Sequence, residues 1–405
     1  MAYDEAAYRQ RGGYTQPEQV YRPEGSHRRD DAQAEQYAEP AYVAPPTLDD
    51  AFDDPRHGEV GRDRMAVHFL WELVLLLAAA GLAYLLYSGQ QDAVTGAALD
   101  KLLVQGAGLG LLALGAGATL RTAAPNLAIG PVAVASALHF AENGDLGVLE
   151  AAGVAVVIGL LGGLILAFVV VGFHVPGWAA SLAAALGVIV YIQMRSGPVN
   201  LQGDYEPTRH AIYLFGGFAG IAVIAGLLGL IKNVRRTVGR FRPVGDPADR
   251  RGVGGAVVTG LAITFSSVAA VVAGVLLAAG NDVPVLPSVG LEWTGLALGA
   301  ALVGGTSAYG RRGGVFGTVF AVAILVLFLR YQELENWDIS TYATAAVAVG
   351  GGLVVTRLVE TFGRPAPAPD TRWTEPPSAT AWQAPEPEPS PAPRADPWDS
   401  TRWGS

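Results

Sequence analysis

Between residues 67 and 358 the chain is a succession of apolar runs separated by short polar, glycine-bearing or proline-bearing breaks. Ten runs are predicted as helical spans, at about 67–88, 102–120, 122–140, 150–172, 178–194, 210–231, 254–279, 295–308, 315–329 and 340–358. Several approach the roughly 20 apolar residues that cross a bilayer. In the first, Trp71 and Tyr87 sit near the ends as interfacial aromatics do, and Glu72, one turn in, is expected at the interface. Two stretches are not smooth. Pro125 and Pro131 interrupt 122–140, since proline removes a donor and clashes with the preceding turn. The run from 295 stops at Gly304-Gly305-Thr306-Ser307, crosses Arg311-Arg312 and resumes at Val315. Irregular backbone at membrane depth survives only where protein or a water-filled path satisfies its polar groups. Broken or shortened spans therefore point to a transport route.

The flanks read differently. Residues 1–64 are polar, tyrosine-dotted and aperiodic, and bury too little apolar area to offset ordering entropy. Residues 364–405 are rich in proline, alanine and glutamate and repeat the triplet TRW at 371–373 and 401–403. Both are predicted to be disordered cytoplasmic tails around a membrane domain at 65–363. No secretory signal peptide is expected, because 1–64 holds no apolar core region.

Composition agrees. Of 405 residues, 51% are hydrophobic and 16% charged, against about a quarter charged in soluble domains. The fold class is an all-α polytopic membrane protein of about ten transmembrane helices, some broken or re-entrant, in two loosely repeated halves. The net charge of −9 comes mainly from the flanks: 1–64 holds 14 acids and 8 bases, and 364–405 holds 6 and 4. The low isoelectric point therefore implies no acidic or nucleic-acid partner for the core.

Loop charge tests the threading. With the N-terminus inside, the outer loops and flanks (89–101, 141–150, 195–209, 280–292, 330–339) contain four bases, and the inner segments (Arg121, 173–177, 232–252, 311–312, 357–363) contain eleven. That is the positive-inside bias, and removing one span would invert every later loop. A faint internal echo aligns 127–138 with 314–325, pairing Gly130 with Gly317, Val132 with Val319 and Leu138 with Leu325. It fits the paired-repeat architecture of transporters.

No catalytic constellation, P-loop or metal-ligand spacing is found, no cofactor is expected, and cysteine is absent. Glycine motifs such as GAGLG lie inside an apolar run with no flanking strand, which suits close helix approach better than nucleotide binding. His139 and His174 fit hydrogen-bonded or interfacial roles better than ligation. The mid-span positions are almost free of charge, so an ion relay has few residues to use. Energy would then come from a separate subunit.

The run Gly304-Gly305-Thr306-Ser307, Gly310, Gly313-Gly314 and Gly317-Thr318 resembles an element of the permease subunits of bacterial ABC importers for ribose and other monosaccharides, which are related to those for branched-chain amino acids and nucleosides. A glycine-rich hairpin in any small-residue membrane protein offers part of the same pattern. The resemblance extends over about 102–362. It takes in Gly110 to Gly115 (GLLALG), Asn126-Leu127-Ala128-Ile129-Gly130, Val175-Pro176 and Ser181-Leu182; where the family has an acid and a serine, this chain has Asn126 and Ala128. At 245–252, Asp246-Pro247-Ala248-Asp249-Arg250-Arg251 partly matches the family's element that docks into the ATPase. The same loop also reads as a basic segment that holds orientation and contacts anionic lipid.

The resemblance implies a dimeric permease in a bacterial cell membrane, multi-pass, with both termini cytoplasmic. It implies two cytosolic ATPase subunits and an extracytoplasmic binding protein as partners, and a sugar, branched-chain amino acid or nucleoside as cargo. Asn126, Ser136, Gly304, Gly305, Thr306 and Ser307 would line or gate the route, and Asp246, Pro247, Asp249, Arg250 and Arg251 would couple it to the ATPase. A membrane scaffold acting through its tails, or a secondary carrier, are the alternatives.

Overall fold

The computed structural model describes residues 65–231, 253–281, 283–307 and 315–363. Both tails, the loop expected to couple to an ATPase, with Asp246, Pro247, Asp249, Arg250 and Arg251, and the pair Arg311-Arg312 lie outside the described residues. Among those described, the longer elements are α1 (Met65–Gly89), α2 (Gly96–Arg121), α3 (Ile129–Asn143), α4 (Val148–Gly172), α5 (Gly177–Gln193), α6 (Ala211–Leu230), α7 (Val253–Ala279), α8 (Leu291–Val303), α9 (Gly317–Leu334) and α10 (Thr341–Gly363). Short 3₁₀ turns accompany them, and among the described residues no strand forms beyond an isolated antiparallel bridge between Val199 and Val285.

Among the described residues, seven segments are long and apolar enough to cross a membrane: Val67–Gly89, Gly96–Arg121, Val148–Gly172, Pro207–Gly229, Val253–Ala279, Gly317–Leu334 and Thr341–Val359. By length and composition this is a multi-pass helical membrane protein. α3, α5 and α8 are shorter, with 15, 17 and 13 residues. At 1.5 Å per residue α8 is about 20 Å long, against a hydrocarbon core of about 30 Å.

Hydropathy located most helices to within a few residues but misplaced some starts. α2 begins at Gly96, before the apolar run, because Asp100 and Lys101 continue the helix. α8 begins at Leu291 and takes Glu292 into its first turn. In 122–140 the break falls at 122–128, and Pro131 sits in the first turn of α3, where its missing donor costs nothing.

α2 and α7 are the most enclosed spans. They run antiparallel in close contact: Gly108 meets Leu277 and Ala273, and Gly115 meets Ser266. A Cβ on Gly115 would already lie 3.1 Å from the Ser266 Cα. Small residues are what let two backbones come this close. α3 and α4 flank α7, while α6, α8 and α9 flank α2, and α10 packs on α8. Leu109, Phe218, Leu296, Ala300 and Val322 are buried in the resulting core. The outward faces of α1, α4 and α6 expose large apolar side chains such as Leu77, Ile158, Ile165 and Ile224, the surface expected against lipid.

The ends of the bundle differ. At one, Gln202 N donates to Ala141 O (2.9 Å) and Gln105 Nε2 to Asn281 Oδ1 (2.9 Å). These loops are the acidic ones. At the other lie the ends of α2 and α8 and the starts of α1, α5 and α9. Glu72, expected at the interface, is instead buried there at 5% exposure. Its Oε1 accepts from the backbone N–H of Phe316 (2.9 Å) and Gly317 (3.2 Å). The free N–H groups and positive end of α9 account for a carboxylate in that place.

Candidate functional site

Two irregular segments are held inside the bundle. The first, 122–128, begins where α2 ends in a Schellman turn. Ala123 N donates to Leu120 O (2.9 Å) and Ala124 N to Thr119 O (3.0 Å), with Ala123 left-handed at φ 50°. The chain then turns back along α2. Asn126 is buried, and both ends of its amide are bonded: Nδ2 donates to Ser266 Oγ on α7 (2.7 Å) and reaches Ser267 Oγ at 3.5 Å, and Oδ1 accepts from Ala128 N (3.0 Å). Its backbone N reaches Thr119 Oγ1 at 3.4 Å. Ser181 of α5 holds the same segment from the other side, accepting from Leu127 N (3.0 Å) and donating to Pro125 O (3.0 Å).

This segment delivers α3 to an end-on meeting with α8. Gly130, the second residue of α3, abuts Gly290, the residue before α8, backbone to backbone. A Cβ on Gly130 would overlap the Gly290 carbonyl oxygen and come within 2.6 Å of Thr294 N. Gly290 has φ 75°, and a Cβ there would lie 2.7 Å from the Gly130 carbonyl carbon. Both positions therefore exclude any side chain. Thr294 Oγ1 bridges the joint, accepting from Gly130 N (3.1 Å) and donating to Leu127 O (3.1 Å). The joint is deep: further along α3, Ala133 packs on Gly274, which is five residues from the end of α7.

The second segment starts where α8 ends, in another Schellman turn. Gly305 N donates to Leu302 O (3.0 Å) and Thr306 N to Ala301 O (2.9 Å), with Gly305 at φ 92°. The motif Gly304-Gly305-Thr306-Ser307 is thus first of all a helix stop. Gly304 and Gly317 touch backbone to backbone, bringing the end of α8 against the start of α9. Thr306 and Ser307 are buried at 2% and 1% exposure.

Of the residues picked from sequence, Asn126 and Thr306 converge on one stretch of α2. Asn126 bonds Thr119, and a Cβ on Gly117 would lie 3.7 Å from Thr306 Oγ1. Ser136 stands apart. Its Oγ donates to Val271 O (2.9 Å), so it staples α3 to α7. Thr294, Ser266 and Glu292 were not singled out, and Ser181 entered only through the resemblance. Glu292 is buried at 7% exposure and accepts from Ser288 Oγ (2.7 Å). A charged residue beside a proline-bearing loop gave no sign of lying inside the bundle.

The far end of α3 is pinned as well. Arg195 forms a two-pronged pair with Glu142, Nε to Oε1 at 2.8 Å and Nη2 to Oε2 at 2.7 Å, and its guanidinium stacks 4.0 Å from the Tyr191 ring centre. The hydrogen bonds from Arg195 hold the Glu142 carboxyl below its ordinary range, and the same bonds raise Arg195. A cavity of about 480 Å³ lies at the acidic-loop end, lined by Gln91, Asp92, Arg330 and neighbours and by none of the residues above. No known protein family matches the chain, and neither the curated proteins nor the solved structures include a significant match.

Proposed function

We propose that this chain is the membrane-spanning permease subunit of an ABC importer, carrying a small polar solute of the sugar, branched-chain amino acid or nucleoside class. The observation that carries the reading is the end-on joint of α3 and α8 at Gly130 and Gly290. Two short helices, each entered through non-helical chain and meeting inside the bundle, are the arrangement found where solutes cross transporters. An anchor or scaffold has no use for backbone that must be satisfied residue by residue with Asn126, Ser181, Ser266 and Thr294. The echo of Gly130 in Gly317 fits two related halves, since each abuts the backbone of another glycine, Gly290 and Gly304.

In this reading ten passes put both termini in the cytoplasm, ATP is hydrolysed by cytosolic partner subunits, and a second permease completes the unit. Asp246, Pro247, Asp249, Arg250 and Arg251 make the contact with the ATPase. Cargo arrives from an extracytoplasmic binding protein, and Asn126, Thr306 and Ser307 lie along its route.

The test is isolation of the full chain from its native membrane in mild detergent. An ATPase is expected to co-purify, and the reconstituted pair is expected to take up one of the three solute classes only with ATP. A chain that never associates with an ATPase refutes the assignment. One observation favours a second reading, an ion-coupled carrier: the buried carboxyl of Glu292 within α8. Uptake that survives ATP depletion and collapses with the proton gradient would select it.

A further inference from the structure

At the acidic-loop end, two opposite charges line one cavity without meeting. α1 ends at Gly89, and the chain passes Gln90 into a 3₁₀ turn at Gln91–Ala93 that carries Asp92. On α9, which packs against α1, Arg330 and Leu334 stand one turn apart and so share a face. Together these residues line the cavity of about 480 Å³. The Asp92 carboxylate has no partner among the described residues. Arg330 donates from Nη1 to Glu333 Oε2 at 2.8 Å, and its Nε and Nη2 have no partner among the described residues. Arg195, at the same end, instead closes both prongs on Glu142. A base near the C-terminal end of a helix suits its negative pole. That does not account for a guanidinium and a carboxylate with a cavity between them. The position of the cavity adds a second constraint. Val67–Gly89 and Gly317–Leu334 are both long and apolar enough to cross a membrane, and the cavity stands where their apolar lengths give out, at headgroup depth. Beside it α1 exposes Tyr84, Leu85 and Tyr87, and Gln91 Nε2 donates to the Tyr87 hydroxyl at 3.1 Å. Tyrosines at the end of an apolar face mark a membrane interface.

We propose that this cavity binds the headgroup of a phospholipid bearing both an ammonium and a phosphate, phosphatidylethanolamine being the simplest. The phosphate takes the Nε and Nη2 hydrogens of Arg330, whose planar fork suits two oxygens at once. The ammonium donates to the Asp92 carboxylate and to the amide oxygens of Gln90 and Gln91. The acyl chains lie along the outward face of α1, where Tyr84 and Leu85 are exposed. Other headgroups fit less well. A quaternary ammonium has no hydrogen to give Asp92. A glycerol headgroup brings its phosphate charge beside a carboxylate with no cation to offset it. A soluble amine-phosphate has the same two ends but no chains to hold it. The proposal needs only that α1 and α9 cross the bilayer, and it stands apart from the reading of α3 and α8.

Native mass spectrometry of the full chain in detergent, titrated with dioleoyl phosphatidylethanolamine, phosphatidylcholine or phosphatidylglycerol, measures each affinity. The ethanolamine lipid is expected to bind about tenfold tighter than the other two, the scale of one charge-assisted hydrogen bond. Arg330→Gln is expected to weaken it by about the same factor. Asp92→Asn is expected to bring the ethanolamine and glycerol lipids to equal affinity. Arg330→Lys keeps the charge without the fork and should fall between Arg330→Gln and the unsubstituted chain, which separates loss of the contact from loss of the fold. Arg209→Gln breaks an exposed pair with Glu206 and should leave all three affinities unchanged. Equal binding of the three lipids by the unsubstituted chain overturns the proposal. So does undiminished ethanolamine-lipid binding in both Arg330→Gln and Asp92→Asn. Soluble phosphoethanolamine that displaces the lipid at equal concentration overturns it as well, since the site would then take a dissolved zwitterion.

Discussion

Gly130→Ala places one methyl group where the structure has no room. The new carbon would overlap the Gly290 carbonyl oxygen and sit 2.6 Å from both Thr294 N and Thr294 Oγ1. These neighbours are backbone or a hydroxyl already bonded twice, so none can rotate aside. Overpacking of a tight site costs about 1–3 kcal/mol, and displacing Thr294 from the Gly130 N–H removes a buried hydrogen bond that contributes about 1 kcal/mol. Together the loss is about 2–4 kcal/mol, which for a chain of this size corresponds to roughly 3–7 °C in unfolding temperature. Intrinsic tryptophan fluorescence during heating in detergent would measure it, and Trp293 lies in the adjoining turn of α8. Gly153→Ala is the control, because a Cβ at that helical glycine meets nothing within 4 Å. It is expected to be neutral or to stabilise by up to about 1 kcal/mol. If Gly130→Ala unfolds at the same temperature as Gly153→Ala, the end-on joint of α3 and α8 is wrong.

Other substitutions test neighbouring parts. Ala123→Gly relieves a left-handed alanine at φ 50° and should raise stability by about 0.5–1 kcal/mol in the same heating assay, the strain outweighing glycine's extra entropy. Gly305→Leu, which forces a branched side chain into φ 92°, should abolish ATP-dependent uptake while the protein still inserts in the membrane. Thr294→Val leaves Gly130 N and Leu127 O without their partner and should cost about 1–3 kcal/mol, whereas Thr259→Val removes a buried hydroxyl with no partner and should cost nothing. The depressed pKa of Glu142 means that its pair with Arg195 contributes stability above the ordinary carboxylate range near pH 4, lost as pH falls through the lower folded value. Unfolding temperatures of the unsubstituted chain and of Glu142→Gln should therefore differ at neutral pH and converge in acid; a constant gap would refute the pairing.

The membrane helices were legible because lipid leaves hydropathy as a direct record of position. α1, α4, α7 and α10 fall close to the apolar runs that predicted them. The break at 122–128 was legible from Pro125, and the stop after α8 from its glycine pair. The partners were not. Asn126 meets Ser266 140 residues away, and Thr294 meets Gly130 across 164. No local pattern records such a contact, and serine or threonine in an alanine-rich helix carries no mark of its bond. Glu72 was placed at the interface, because a charge near a helix start usually is solvated, and Glu292 fell within the outer loop 280–292 without comment. Here each carboxylate lies at a helix start, Glu72 facing that of α9 and Glu292 within the first turn of α8, and both are covered by protein.

The meeting of Gly130 and Gly290 also has a mechanical side. Where side chains separate two helices, a shift of one is absorbed by rotamer changes and dies out within a residue or two. Bare peptide against bare peptide has no such slack, so a displacement at the start of α3 is handed directly to the start of α8.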